Sequence, residues 1–289
     1  MTFSVPGLTL WYQAECFFFS VFMIIEIQAH RGARAFFAEN TLQAFCKAAD
    51  LGCGVVELDL CVSQDRRVIV SHDPWVDDVS DCPLTRRWLY SMKYDEIACY
   101  DCGAALPRFP LQQSVRAARP LLTEVFDEVD AHLQRIGRPG AMIYNLEVKS
   151  WPERDGIAHP PPAEYAALVL RDIAASGVET RVRLQSFDER IVSEARALMP
   201  ELSLGLLVKN RNALEAFRDR LGFVPEYVNP RFDLIDEALV ERLQGMGAKV
   251  VVWTVNLPEE MLRMQRFGVD GIITDHPEIA LSLPGLAGV

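Results

Sequence analysis

Nine short apolar, β-branched runs, separated by segments with helical spacing, recur along the 289-residue chain. The runs lie at 23–27, 55–60, 68–70, 141–148, 182–186, 204–208, 227–229, 250–255 and 271–274, with amphipathic segments at 39–51, 123–136, 163–176, 189–199, 211–221, 235–246 and 258–267. Strand followed by helix, repeated, predicts a parallel sheet covered by helices. The length suits one closed α/β barrel, a (β/α)8 TIM-type barrel over residues 23–289, better than two ordinary domains. Nine runs exceed the eight strands such a barrel needs. The link from 62 to 68 is also too short for a parallel crossover. Either the runs ending near Asp59 and His72 pair locally and make the barrel irregular there, or one run is a buried loop. Residues 74–120 then interrupt the alternation as an insertion after the third strand, which barrel geometry places over the active face.

The polar residues at the ends of the first runs read as chemistry. Glu57 and Asp59, two apart on one strand, point to the same face. Two carboxylates buried side by side resist ionising together, and a divalent cation with oxygen ligands removes that conflict. His30 and His72 each close a run. An imidazole can accept or donate a proton near neutral pH, so two suit cleavage of an ester bond by a base and an acid. Arg31 offers a planar fork for an anionic oxygen, or a salt bridge to Glu57 or Asp59. Glu147 and Lys149, at the end of a later run, also share a face, as a surface ion pair would.

The stretches QAHRGARAFFAENTLQAF and GVVELDLCVSQDRRVIVSHDP resemble the glycerophosphodiester phosphodiesterase family, whose signature runs His-Arg-Gly, Glu-Asn-Thr, Glu-Leu-Asp and His-Asp. NLEVKS, QSFD, VVWTVN and GVDGIITDHP resemble its later blocks, so the likeness covers roughly residues 24–277. It implies a metal-dependent hydrolase that releases glycerol phosphate and an alcohol. The cation, magnesium or calcium, would be held by Glu57, Asp59 and Glu147, with His30 and His72 as acid and base. Arg31, Lys149, Asn40, Gln185 and Trp253 are the expected substrate-site residues, Asn40 tying the helix start to the metal site or a neighbouring loop or serving equally well as a helix cap. Ala38 stands where the family has proline, and Arg66 and Arg67 replace a glycine near a turn. The nucleophile stays open between a glycerol hydroxyl, giving a cyclic phosphate, and water. The alternatives are a phosphodiesterase acting on intact lipids and a noncatalytic phosphate-binding barrel. In the family the comparable insertion lines the substrate pocket, so Trp75, Trp88, Tyr90, Tyr94 and Phe109 are expected to wall it.

A net charge of −11 argues against nucleic acid or an anionic membrane surface as the principal partner, and the small glycerophosphodiester partner is what the resemblance implies. Cys46, Cys53 and Cys61 among the seven cysteines read as small buried hydrophobes, and the lone Cys99-x-x-Cys102 pair has no thioredoxin-like setting. Reduced thiols fit the cytoplasm. The apolar run at 16–25 is too short for a membrane span, and no Lys or Arg precedes Arg31, as a signal peptide would require. Residues 1–22 are therefore expected to be a non-native or packed extension, the alternative being export or membrane association through that run.

Overall fold

The computed structural model describes residues 24–78 and 85–286; the expectation for residues 1–22 lies outside them. In chain order the strands are β1 (Glu26–His30), β2 (Val55–Val62), β3 (Val68–Val70), β4 (Trp75–Asp78), β5 (Thr85–Trp88), β6 (Ile143–Val148), β7 (Val182–Ser186), β8 (Ser203–Val208), β9 (Tyr227–Pro230), β10 (Lys249–Val252) and β11 (Gly271–Thr274). The helices are α1 (Leu42–Asp50), α2 (Tyr94–Ile97), α3 (Leu122–Arg135), α4 (Pro162–Ser176), α5 (Glu189–Leu198), α6 (Arg211–Leu221), α7 (Glu237–Gly245), α8 (Pro258–Arg266) and α9 (Pro277–Ser282). Parallel pairing runs β1-β11-β10-β9-β8-β7-β6-β2, and β1 pairs with β2 to close an eight-stranded barrel. The ninth run is β3, which folds back antiparallel on β2 with Leu60 opposite Val70. The short link across Asp65 is thus a hairpin turn, and it returns the chain so that His72 follows close to Asp59.

Strand alternation sorts the side chains into two environments. Val56, Leu58 and Leu60 of β2 and Tyr144 and Leu146 of β6 face outward and pack with Phe45 of α1 and Phe126 of α3 in the main core. Their neighbours Glu57, Asp59, Asn145 and Glu147 face inward. The barrel interior is accordingly polar on one side. Arg183 grips Glu26 through both guanidinium nitrogens (2.6 and 2.7 Å), Gln28 donates to Glu26 (2.7 Å), Asn145 donates to Gln28 (2.7 Å) and Asn229 donates to Gln185 (2.6 Å). Tyr227, Val251 and Ile273 fill the opposite side. Burying these groups is tolerable because the Glu26 and Arg183 charges are paired with each other and each amide makes at least one of these hydrogen bonds.

Helix starts differ in detail from the sequence expectation. Thr41 caps α1, its hydroxyl accepting from the Ala44 amide (3.3 Å), which frees Asn40 for other work. The amphipathic segment expected from 123 begins one residue earlier, at Leu122 of α3, with the Glu124 carboxylate accepting from the Leu121 amide (2.8 Å). Gly32 has φ +81°, and a Cβ there would lie 2.8 Å from the Ala44 backbone carbon. Gly32→Ala should therefore cost about 2–4 kcal/mol through combined backbone strain and overlap. A urea midpoint unchanged from wild type would contradict that close packing of the strand exit on α1.

The segment after β3 is largely a side wall. Leu89, Met92 and Ile97 form a small core with Cys61, Ile69, Val76 and Leu121. Within this segment, β5 ends at Trp88 and a 3-10 turn follows at Leu89–Ser91. Cys53 and Cys61 are buried as expected, whereas Cys46 is only half-buried; Cys99 and Cys102 carry free thiols, and Cys82 lies outside the described residues. No helix among the described residues is long and apolar enough to cross a membrane.

Candidate active site

Register brings the acids together at the C-terminal mouth of the barrel. His30 sits beside Glu57, Asp59 beside Glu147, and Glu147 beside Gln185. One carboxylate oxygen from each of Glu57, Asp59 and Glu147 lies within 4.8 Å of the others, and all three residues are buried. Burial, then the charges of Asp59 and Glu147, pushes Glu57 well above the usual carboxylate range. Burial likewise raises Glu147, partly offset by Lys149. Asp59 goes the other way. Burial opposes its charge, yet Lys149 and Arg31 together hold it below the usual range. The Lys149 ammonium contacts Asp59 at 2.8 Å and Glu147 at 2.5 Å, and the Arg31 Nε lies 3.1 Å from Asp59. Asn40 completes the cage, donating to the Asp59 carboxylate (2.8 Å) while its oxygen accepts the Asp59 amide (3.2 Å).

Three carboxylates this close, two of them resisting ionisation through burial and then neighbouring negative charge, fit a hard divalent cation. Lys149 and Arg31 supply two positive charges against the three carboxyl groups of Glu57, Asp59 and Glu147, with Arg34 also pairing Glu39, so the trio can bring surplus negative charge to such a cation. Arg31 is itself held in the left-handed region (φ +57°), as is Asn40 (φ +57°). Such strain persists only where surrounding bonds determine it. Here the Arg31 amide donates to Glu57 (3.1 Å), and its Nη1 donates to Glu39 (2.7 Å). The bend after β1 thereby folds the Arg31 side chain back over the acids.

Each histidine is oriented through Nδ1. His30 Nδ1 meets Asp275 Oδ1 at 2.6 Å, leaving Nε2 3.9 Å from Glu57. Burial lowers the His30 pKa from its ordinary value, with the Asp275 hydrogen bond opposing. His72 Nδ1 meets Asp73 at 2.8 Å at a more exposed position. Asp275 is held below the usual carboxylate range although burial opposes this, because His30, Arg34 and Asn256 contact it.

A cavity of about 130 Å³ gathers His30, Arg31, Glu57, His72, Glu147, Lys149, Gln185 and Trp253. Asp59 lies beneath its floor, fully buried, and Asn40 lines a neighbouring cavity of about 250 Å³ with His72. Gln185 Nε2 is buried without a hydrogen-bond partner among the described residues. Trp253 is anchored by its indole N–H to the Asn229 carbonyl (2.7 Å) and stands edge-on to Phe187. The cavity opens into a groove of about 650 Å³ walled by Trp151, Pro152, Phe187, Leu206 and Leu207.

The insertion's aromatics do not wall this space. Trp75 packs against Trp88, Tyr90 under Arg66, Tyr94 reaches Glu124, and Phe109 lies against Arg34 and His276. The sequence expectation fails here because chain order after His72 says which strand end a segment leaves, not which way it folds. Sequence reading also passed over Asp275, Arg34, Asn256, Trp151 and Phe187. Asp275 carried a usable signal: an acid directly after the apolar run GIIT, placed at a strand end as His30 is.

Asp275→Asn should lower kcat by about 10- to 100-fold, the usual cost of losing the partner that orients a functional group, with KM altered far less. Unchanged kcat would mean that the Asp275 contact does not set the His30 ring.

Fold and site define a (β/α)8 barrel with a buried carboxylate trio and two histidines at its C-terminal mouth. Residues 30–279 match the model of the glycerophosphoryl diester phosphodiesterase family, and the chain belongs to this family of phosphoric diester hydrolases. It is 31% identical over 255 residues to a glycerophosphodiester phosphodiesterase of Caldanaerobacter subterraneus subsp. tengcongensis, covering 88% of this chain and 96% of that one. It is 25% identical to the lysophospholipase D of Homo sapiens, covering 86% and 82%. Among solved structures, a putative glycerophosphoryl diester phosphodiesterase of Silicibacter pomeroyi superposes with a TM-score of 0.79 at 29% identity, covering 92% of this chain and 96% of that one.

Proposed function

We propose that this barrel hydrolyses glycerophosphodiesters to glycerol phosphate and an alcohol, using a divalent cation, magnesium or calcium, held by Glu57, Asp59 and Glu147. The observation that carries the reading is the trio of buried carboxylates within 4.8 Å of one another, facing the same cavity as two carboxylate-oriented histidines. Bound there, the cation supplies neutralising charge for the phosphoryl oxygens. Arg31 and Lys149 add charge beside it, and the unpartnered Gln185 Nε2 offers a hydrogen bond to a phosphoryl oxygen. Trp253 provides an apolar wall, and Asn40 keeps Asp59 aimed.

The two histidines divide the proton work by position. His30 lies in the cavity but not on the groove, and Asp275 holds its Nδ1 so that Nε2 is free to accept the nucleophile's proton. His72 borders both cavity and groove and donates to the departing oxygen. The groove is then the space for the alcohol. The nucleophile is either a glycerol hydroxyl or water, and a cyclic glycerophosphate among early products identifies the first.

A second reading, hydrolysis of lipid diesters such as lysophospholipids, draws on the apolar groove wall and on the lysophospholipase D relative. A panel of soluble glycerophosphodiesters and lysophospholipids, each with and without chelator, tests both. Chelator-sensitive turnover of the soluble diesters supports the first reading. Turnover confined to lipids selects the second, and no turnover of either class rejects both.

A further inference from the structure

We propose that the loop at residues 103–120 is a docking surface for an anionic phospholipid bilayer, set beside the mouth of the site. From Gly103 to Thr123 the chain has Arg108, Arg116 and Arg119 and no Asp or Glu, in a protein whose net charge is −11. Within that stretch Leu106, Leu111 and Val115 are 40%, 59% and 39% exposed. Three large exposed apolar side chains within ten residues of one loop are what an interfacial segment offers to an apolar environment. The exposed Arg108 among them favours an anionic lipid surface, which its charge attracts while the apolar tips enter the headgroup region.

The loop displays these residues from a fixed platform. The Cys102 amide donates to the Ala117 carbonyl (2.8 Å), Val115 to Gly103 (3.1 Å) and Gln113 to Phe36 (2.8 Å). The Ala105 amide donates to the Ser114 hydroxyl (2.9 Å), and the Gln112 side chain donates to the carbonyls of Arg34 (2.7 Å) and Phe37 (2.9 Å). Gly103 allows the strands of the loop to touch, since a Cβ there would fall 1.7 Å from the Val115 oxygen. Phe109 is buried between the Arg34 and Arg108 guanidiniums, which pins the tip Leu106-Pro107-Arg108. With so many backbone ties, the exposed leucines are not there through looseness. Arg116 shares its surface groove with Glu124, Asp127 and Glu128, so the Arg108 end carries the net positive edge. Leu106 and Arg119 also line the 250 Å³ cavity that reaches His72, so the docking face and the site are joined.

The test is co-sedimentation of the full chain with phosphatidylcholine vesicles and with vesicles enriched in phosphatidylglycerol, at low and high salt. Salt-sensitive binding to the anionic vesicles is expected. Arg108→Glu with Arg116→Glu should weaken it roughly 30-fold or more, because the Arg108 reversal alone shifts the face by two charge units at about a factor of five each, while Arg116, beside its three acids, adds less. Leu111→Ser with Val115→Ser should weaken it about tenfold. Both pairs should keep wild-type turnover of a soluble glycerophosphodiester, and a cooperative melt confirms folding; should a charge-reversed pair fail to fold, Arg108→Gln with Arg116→Gln replaces it. The proposal is overturned by no vesicle binding, by equal binding to neutral and anionic vesicles, or by binding that neither pair alters, as attachment through residues 1–22 would give. Binding to polyglutamate but not to vesicles would instead point to an acidic protein. Vesicle binding is read without turnover, so its failure is separate from failure of the hydrolase assignment.

Discussion

Glu57→Gln and Asp59→Asn should each reduce diester hydrolysis on the order of 10³-fold or more, because each removes an anionic ligand from the cation that offsets phosphoryl charge. Their stabilities without metal should diverge. Glu57 is the crowded acid, desolvated beside Asp59 and Glu147, so neutralising it relieves repulsion and should leave the melting temperature unchanged or raised. Asp59 is the acid that compensates Lys149 and Arg31 and is held by Asn40. Neutralising it leaves buried cations short of a partner, which typically costs about 3–5 kcal/mol. Equal melting curves for the two variants would contradict this division of roles, whatever their activities.

His30→Ala and His72→Ala should each lower kcat by about 10²- to 10⁴-fold, the contribution expected of a positioned base or acid. The two are separable by leaving group. A p-nitrophenyl diester departs without needing a proton, so His72→Ala should recover most of its loss on that substrate. His30→Ala should not, since its task is to take a proton from the nucleophile. Recovery of both variants, or of His30→Ala alone, would reverse or dissolve the assignment.

Much of the barrel was legible in the chain. β-branched runs such as Val55–Val62 alternating with amphipathic helices leave few architectures, and Glu57 and Asp59 at a two-residue spacing announce an inward acidic pair. The extra run at Val68–Val70 was visible as an irregularity, but its antiparallel pairing depends on hydrogen bonds to β2 that spacing alone does not choose. The site's long-range partners were the least legible. Asp275 reaches His30 across 245 residues only because β11 closes the barrel against β1. Asn40 had two local roles in sequence, and the choice of Asp59 over the helix cap was made by Thr41 taking the cap. The aromatics after His72 fooled the reading because hydrophobicity marks burial, not the cavity in which a ring is buried.

The most direct test of the central claim is hydrolysis of sn-glycero-3-phosphocholine by metal-stripped protein, titrated with magnesium or calcium, with Glu57→Gln in parallel. Wild-type protein should be inactive when stripped and should regain turnover saturably, while the variant stays near baseline over the same metal range. Full turnover by stripped protein shown by elemental analysis to contain no metal, or an equal metal response from Glu57→Gln, would contradict a cation held by this carboxylate trio.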